Sequence, residues 1–589
     1  MLRPVLPPLL RIAPSATRRA WWILLLCALT VLAAGIGIRD PWPTDEPRFN
    51  LVAKQMVESG EYLITQRGVE LYSDKPPMYM WTQVAAYAVT GNWRIAFLLP
   101  SLLAALGVLW LVFDLASRLW SRRAGWWTAF TLLICFQFAF QAKRAQIDMV
   151  LLFLMTLSLY AFLRHLLQGP AWRWYALGWF VAGLATITKG VGFLAPLILL
   201  PALVLAGLGQ NQRPLPSWRH PHWWWLPLGF LLAASLWLLP MYLATFGSGD
   251  PARIVYAEDL LFRQTAKRYT NSWDHQEPFW YFFGVMLASW LPLGLWLPWW
   301  APALWRRLRR RLDPRLVLPL AWAGLVVLFF SFSPGKRDVY IMPALPMLVL
   351  ALAPLLPGLL RLRGPNRLSY AAAATLSLSL LGLGLAALLG EPKFEVREEQ
   401  RRGLEAGSDA LWWVLTASGA LATLLVLWAR PRRGVLAWAG CMAVIWTLAM
   451  GWGGSWVLNE QNSARGVMRD ARAKVGPEIE LGLVAWQEQN LLQAIPPVQT
   501  FGFEKIPWEQ QWEDGKAWLR AAPEQRRLFV LSRMIDRCVE RSKIELAGIS
   551  NRRRWYLVPA EALIPDCSVE REVSKEGVDE HGLEGVPKP

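Results

Sequence analysis

The sequence predicts an α-helical polytopic membrane protein of about 13 transmembrane helices, followed by a small C-terminal α/β domain. Three observations predict it. The chain has 589 residues, 54% of them hydrophobic and only 18% charged, with a mean hydropathy of +0.28. Apolar runs of about 20 residues recur along most of its length, each long enough to cross a bilayer's hydrocarbon core. Trp occurs 37 times, and membrane proteins place Trp at the lipid–water boundary. This composition excludes a disordered chain, a small disulfide-held scaffold and an ordinary soluble enzyme.

The first element is the N-terminal anchor. Arg3, Arg11, Arg18 and Arg19 precede an apolar run from Trp21 to Ile38. Ala33-Ala34-Gly35 would suit cleavage of a signal peptide, but many spans follow and none needs a separate signal, so the run reads as an anchor with its arginines in the cytoplasm. Further spans are expected at 94–117, 125–141, 149–163, 174–188, 191–209, 223–246, 279–300, 316–332, 339–360, 369–390, 410–429 and 434–452. If the loops alternate sides, those on the cytoplasmic side hold Arg118/Arg122/Arg123, Arg164/Arg173, Arg213/Arg219, Arg306/Arg307/Arg309/Arg310/Arg311, Arg361/Arg363/Arg367 and Arg430/Arg432/Arg433. That fits the positive-inside rule, and an odd number of spans puts the C-terminus outside. Much of the net charge of +18 is therefore a topology signal. A nucleic-acid partner is excluded on that ground, and the lipid bilayer is the partner that remains.

The expected organisation is a transmembrane domain over residues 1–452, with outer loops 39–93 and 247–278, and an outer α/β domain over 453–589. In the latter, Leu481–Trp486, Leu528–Ser532 and Trp555–Pro559 read as strands and Trp508–Ala521 as a helix, ahead of a polar tail that frays from about Val569. Cys27, Cys135 and Cys441 fall in spans and read as packing residues. Cys538 and Cys567 share the outer domain, where an oxidising compartment permits a bridge; spacing alone leaves a bridge and two free thiols equally open.

Most acidic residues of the membrane part lie on the outer side, so chemistry is expected there. The first outer loop reads Pro43-Thr44-Asp45-Glu46-Pro47-Arg48, an acidic pair beside Arg just past a span. A carboxylate so placed serves as base for an acceptor hydroxyl; alternatively Thr44 or Asp45 caps a helix starting near Pro47. Further on, Asp74-Lys75-Pro76-Pro77 fixes the backbone and aims Lys75 near the interface, where a compact positive charge suits a phosphate. Lys143/Arg144 before Asp148, Lys189 before Gly190, and Lys336-Arg337-Asp338-Val339-Tyr340 repeat the pattern at other outer span ends. Snorkelling explains any one of them. Outer loops have no topological need for cations, however, and their recurrence points to an anionic lipid headgroup. His275 and Asp74 together would supply half of a zinc site. No phosphate-binding Gly-Lys-Ser/Thr loop, dinucleotide Gly pattern or Gly-x-Ser-x-Gly elbow is present, so nucleotides are not expected as direct substrates.

Taken in order, Asp45-Glu46-Pro47-Arg48, Asp74-Lys75-Pro76-Pro77, Lys143-Arg144 with Asp148, Thr188-Lys189-Gly190, Phe262-Arg263, His275 before Pro278-Phe279-Trp280-Tyr281, and Gly335-Lys336-Arg337-Asp338-Val339-Tyr340 resemble a known motif set. It is that of the GT-C superfamily of membrane glycosyltransferases, in particular bacterial lipid-A 4-amino-4-deoxy-L-arabinose transferases of the ArnT type and their relatives, the protein O-mannosyltransferases. The resemblance covers residues 20–360 or so and the remainder by layout. It implies a GT-C fold and an inverting transfer from a polyprenyl-phosphate-linked sugar donor to a lipid (lipid A-like), glycan or protein acceptor. The reaction would take place at the periplasmic face of a bacterial inner membrane. By the same resemblance Asp45, with Glu46 beside it, is the catalytic carboxylate and Asp148 the second acidic position. Lys75, Lys189, Arg263, Lys336, Arg337 and Tyr340 line the donor phosphate, and Asp74 and His275 are linked with a divalent metal, zinc. A transporter or lipid flippase is the rival reading. It would be expected to show internal repeats with broken helices at mid-membrane, and the sequence shows no such repeat.

Overall fold

The computed structural model describes residues 14–210, 219–261, 276–390, 393–402, 404, 409–565 and 567. The expectations for Arg263, His275 and the tail from Val569 lie outside the described residues. The chain forms two compact units. One gathers Met1–Ile36, Ser73–Gly382 and Ala417–Gly451, and the other Gly37–Tyr72, Leu383–Thr416 and Trp452–Pro589.

Helices dominate the first unit because its sequence is a succession of apolar runs whose backbone groups must be satisfied internally. Across the chain, seven described helices are long and apolar enough to span: Trp93–Leu119, Ile147–Gln168, His222–Phe246, Pro314–Phe332, Arg363–Gly390, Ala410–Ala429 and Pro431–Ser463. Two shorter apolar helices, Arg19–Ala33 and Gly192–Gly207, join them. Several runs expected as whole spans are instead broken. Residues 125–141 divide into Arg122–Leu133 and Phe136–Ala142, and 279–300 into Tyr281–Ala288 and the start of Leu297–Arg310. The run 339–360 becomes a 3-10 turn, Asp338–Ile341, with the helices Ala344–Leu352 and Leu356–Leu359. Pro292, Pro343, Pro354 and Pro357 fall at or beside the breaks in 279–300 and 339–360, where the missing N–H and the ring end a helix; the break in 125–141 has no proline. The broken segments satisfy one another: Phe136 N–H donates to the Leu291 carbonyl (2.9 Å) and Gln137 N–H to that of Ser289 (3.0 Å).

Ile147–Gln168 is the most enclosed span, packing on Leu99–Leu119 and on Trp172–Lys189. Trp172–Lys189 in turn packs on Leu228–Phe246. A Cβ at Gly183 would sit 2.4 Å from the Phe230 carbonyl oxygen, so the missing side chain is what lets these two helices approach. Trp divides between two roles. Trp322 and Trp296 are buried and donate to the Leu194 carbonyl (2.8 Å) and Ser369 Oγ (2.9 Å). Trp224, Trp225 and Trp280 remain exposed, as an interfacial belt requires.

The second unit contains a hairpin, β1 (Gln66–Arg67) and β2 (Glu70–Leu71), and a five-stranded sheet. The sheet strands are β3 (Glu480–Val484), β4 (Val498–Thr500), β5 (Arg526–Leu531), β6 (Glu545–Ser550) and β7 (Arg553–Val558), in the order β4-β3-β5-β7-β6. β4, β3 and β5 run parallel, with Leu481 opposite Val498 and Leu483 opposite Phe529; β7 and β6 continue antiparallel. Helix Trp508–Ala521 covers β3 and β5 through Trp512 and Leu519, both fully buried. Phe529 and Trp555 stack on adjacent strands with centroids 4.8 Å apart. Helices Gly454–Ser463 and Arg465–Val475 lead into the sheet. Cys538 and Cys567 form a disulfide with Cα atoms 5.5 Å apart, which resolves the alternative that the spacing left open.

Candidate active site

In the first unit the cation-bearing loops are placed by helix ends. Asp148 occupies the first turn of Ile147–Gln168, where the helix dipole favours a negative charge. Lys189 closes the last turn of Trp172–Lys189, and Gly190 follows in the left-handed region (φ 78°) that ends the helix. Because these two helices pack antiparallel in sequence order, the two ends meet, and Asp148 and Lys189 form a short ion pair. The Lys189 ammonium also lies 5.3 Å from the centroid of the Tyr340 ring. Tyr340 sits in the 3-10 turn Asp338–Ile341 with its ring against Phe330 (centroids 5.2 Å apart). One acid, one ammonium and one phenol from three separate elements are thus brought together.

The Tyr340 turn is itself held. Gly335 pairs with Gln276 in an antiparallel bridge, and the buried Lys336 ammonium donates to the Glu277 carbonyl (2.6 Å). Burial draws that ammonium below the ordinary lysine value, with Glu277 opposing. Gln137 Nε2 donates to the Asp338 carbonyl (3.1 Å) and to its carboxylate (3.3 Å), and Gln137 Oε1 accepts the Trp290 indole N–H (2.7 Å). Sequence reasoning missed Gln137. A glutamine inside an apolar run is its one signal. Lys75 Nζ donates to the carbonyl of Asp74 (2.9 Å). Lys143 is buried and donates to the carbonyls of Val31 (3.0 Å) and Ala34 (2.6 Å), so its charge serves the end of helix Pro14–Ala33. Among the described residues no group of three or more His, Cys, Asp or Glu side chains could hold a metal ion. His275, the expected partner of Asp74 at a metal, lies outside the described residues.

In the second unit Asp45 takes the cap position of helix Glu46–Ser59, with Pro47 in its first turn. The Asp45 side chain makes no capping hydrogen bond and is half-buried. The neighbouring Glu46 is different: it is buried, and the Arg39 guanidinium grips both its oxygens (2.6 and 2.9 Å) while Trp42 N–H donates to one of them (2.9 Å). Asp40 is equally buried and receives Arg465 on both oxygens (2.6 and 2.7 Å) and Asn459 Nδ2 on one (2.8 Å). Arg39, Asp40, Asn459 and Arg465 were not legible as a group, because Asp40 and Arg465 are 425 residues apart.

Residues 74–239 match the family model described as dolichyl-phosphate-mannose-protein mannosyltransferase. The chain is similar to the undecaprenyl phosphate-alpha-4-amino-4-deoxy-L-arabinose arabinosyl transferase of Pseudomonas aeruginosa (strain LESB58), 31% identical over 439 residues, covering 72% of this chain and 74% of that one. It is also similar to the protein of that name from Shewanella sediminis (strain HAW-EB3), 28% identical over 327 residues, 54% of this chain and 56% of the relative. The fold is similar to that in the crystal structure of ArnT from Cupriavidus metallidurans bound to undecaprenyl phosphate, with a TM-score of 0.69 at 19% identity, covering 92% of this chain and 99% of that one. The fold is therefore of the GT-C type expected from the motif order. With 31% identity across nearly three quarters of the Pseudomonas relative, the chain belongs to the undecaprenyl phosphate-alpha-4-amino-4-deoxy-L-arabinose arabinosyl transferase family.

Proposed function

We propose that the chain is an inverting glycosyltransferase of the bacterial inner membrane. It moves a sugar from an undecaprenyl-phosphate donor to an acceptor oxygen on a lipid A-like lipid at the periplasmic face. The observation that carries the reading is the convergence of Lys189, Asp148 and Tyr340 from three elements at helix ends, within a chain of this family.

Each residue then has a task. The acceptor oxygen attacks the anomeric carbon and passes its proton to the Asp45 carboxylate, while the bond from that carbon to the phosphate oxygen breaks. Undecaprenyl phosphate leaves with the electron pair, and the attack from the opposite side inverts the carbon. Charge gathers on the leaving phosphate, and cations fixed beforehand stabilise it without reorganising. Lys189 and Lys75 take that role with the Tyr340 hydroxyl, supported by Lys336 and Arg337. Asp148 keeps Lys189 aimed, and Glu46 anchors the first turn of the helix that Asp45 opens. The carboxylate also suits the positive charge that develops on the sugar.

The test uses purified enzyme in lipid, undecaprenyl phosphate-4-amino-4-deoxy-L-arabinose as donor and lipid A as acceptor. Asp45→Asn lowers kcat by about 100- to 10,000-fold, the contribution of a general base, with donor affinity kept. Lys189→Ala raises the donor KM. Full transfer activity in Asp45→Asn would sink the assignment of the base.

A further inference from the structure

Asp45 stands at the cap of helix Glu46–Ser59, and the backbone around it is gripped from both sides. On the chain before it, Asp40 is 2% exposed and bonded on both oxygens to Arg465 and Asn459. Asn459 Oδ1 in return accepts the Asp40 backbone N–H (2.7 Å) and the Trp42 indole N–H (3.3 Å). On the chain after it, Glu46 is 2% exposed and locked to Arg39, whose guanidinium lies 5.2 Å from the Trp42 ring centroid. The segment Arg39–Glu46 is therefore a loop closed on itself by one ion pair and tied by another to the helices that lead into the α/β sheet.

The same outer segment is tied a second time, farther along. Glu70 accepts the backbone N–H groups of Phe503, Glu504, Lys505 and Ile506 (2.7–3.3 Å). Arg67, buried, pairs with Glu488 and Glu504, and Arg48 pairs with Glu488 (3.1 Å). Buried ion pairs add little net stability over apolar packing, since desolvation cancels most of the attraction. What they do well is fix one arrangement, because a slipped arrangement strands an unpaired buried charge.

We infer that Arg39, Asp40, Asn459 and Arg465 are positioning residues for Asp45: through them the C-terminal α/β domain sets the geometry of the catalytic carboxylate. The inference rests on the reading of Asp45 as the base. A base displaced by about 1 Å loses roughly 100-fold in rate without losing substrate.

The experiment compares Arg465→Ala, Arg465→Lys and Asp45→Asn in the full-length enzyme in lipid, with undecaprenyl phosphate-4-amino-4-deoxy-L-arabinose and lipid A. The expected result for Arg465→Ala is a kcat lowered by about 10- to 100-fold, with donor KM within about two-fold of wild type. Arg465→Lys recovers part of it, since a single ammonium replaces only one of the two bonds. Wild-type kcat in Arg465→Ala beside an inactive Asp45→Asn overturns the positioning role. An active Asp45→Asn overturns the catalytic reading instead. If Arg465→Ala does not yield folded enzyme, Arg465→Lys and Asn459→Ala are read the same way. A lowered kcat at unchanged donor KM supports the inference; wild-type kcat per folded molecule, or a parallel rise in KM, overturns it.

Discussion

Lys336 and Lys143 are both buried lysines just past helix ends, and their partners separate their roles. Lys143 has two carbonyls at the end of a helix to satisfy, and removing it would leave buried acceptors without a donor. Lys336 has the Glu277 carbonyl within 2.6 Å and holds together the loop that carries Tyr340. Its depressed proton affinity has a pH consequence. The unfolded chain keeps that proton up to the ordinary lysine value, whereas the folded chain releases it at lower pH. Across that interval folding releases a proton, so stability rises with pH while the positive charge offered to the phosphate is lost. Donor kcat/KM is therefore expected to fall as pH rises through the Lys336 titration, ahead of the ordinary lysine range. Lys336→Arg, which keeps its charge, should flatten that alkaline limb. A pH–rate profile that is the same in both enzymes would remove Lys336 from the donor site.

At the scale of elements, the strands with several consecutive apolar residues were legible in the sequence and the others were not. β3, β5 and β7 lie within a few residues of their expected places, because Leu481–Val484 and Leu528–Leu531 are buried runs and Trp555, Leu557 and Val558 are buried. β4 is three residues long after two prolines, and β6 mixes Glu545 and Gly548 into an edge strand, so neither has a readable alternation. The spans divide similarly: hydropathy marks where the chain is apolar but not where its helices break, since Pro240 and Pro319 lie inside helices and the break between Leu133 and Phe136 has no proline. The cap position of Asp45 could be read from Pro47, whereas the grip on Glu46 could not, because Arg39 is separated from it by a loop of unreadable shape. The disulfide closes a separation of 29 residues in the α/β domain. In the loop-entropy model that is worth about 3–4 kcal/mol. Cys538→Ser is expected to lower the domain's denaturant midpoint and to expose it to trypsin. Equal midpoints with and without reductant would show that the domain does not depend on the bond.

For the whole molecule, the proposed orientation rests on charge placement. Arginine clusters at Arg306–Arg311 and Arg430–Arg433 argue for the cytoplasm, and the disulfide argues for an oxidising compartment around the α/β domain. Fusion of alkaline phosphatase after the α/β domain should therefore give an active reporter, and fusion after Arg311 an inactive one. The reverse pattern would invert the proposed topology. The Asp40–Arg465 bond adds a constraint in time. Its partners are synthesised 425 residues apart, which at about 5–20 residues per second is roughly 20–85 s of translation. Through that interval the loop bearing Asp45 lacks the Arg465 and Asn459 contacts that tie it to the helices before the sheet. On the proposed reading, a ribosome that stalls in the last spans leaves a chain whose Asp45 is not yet positioned, and transfer begins only when the final domain has been made.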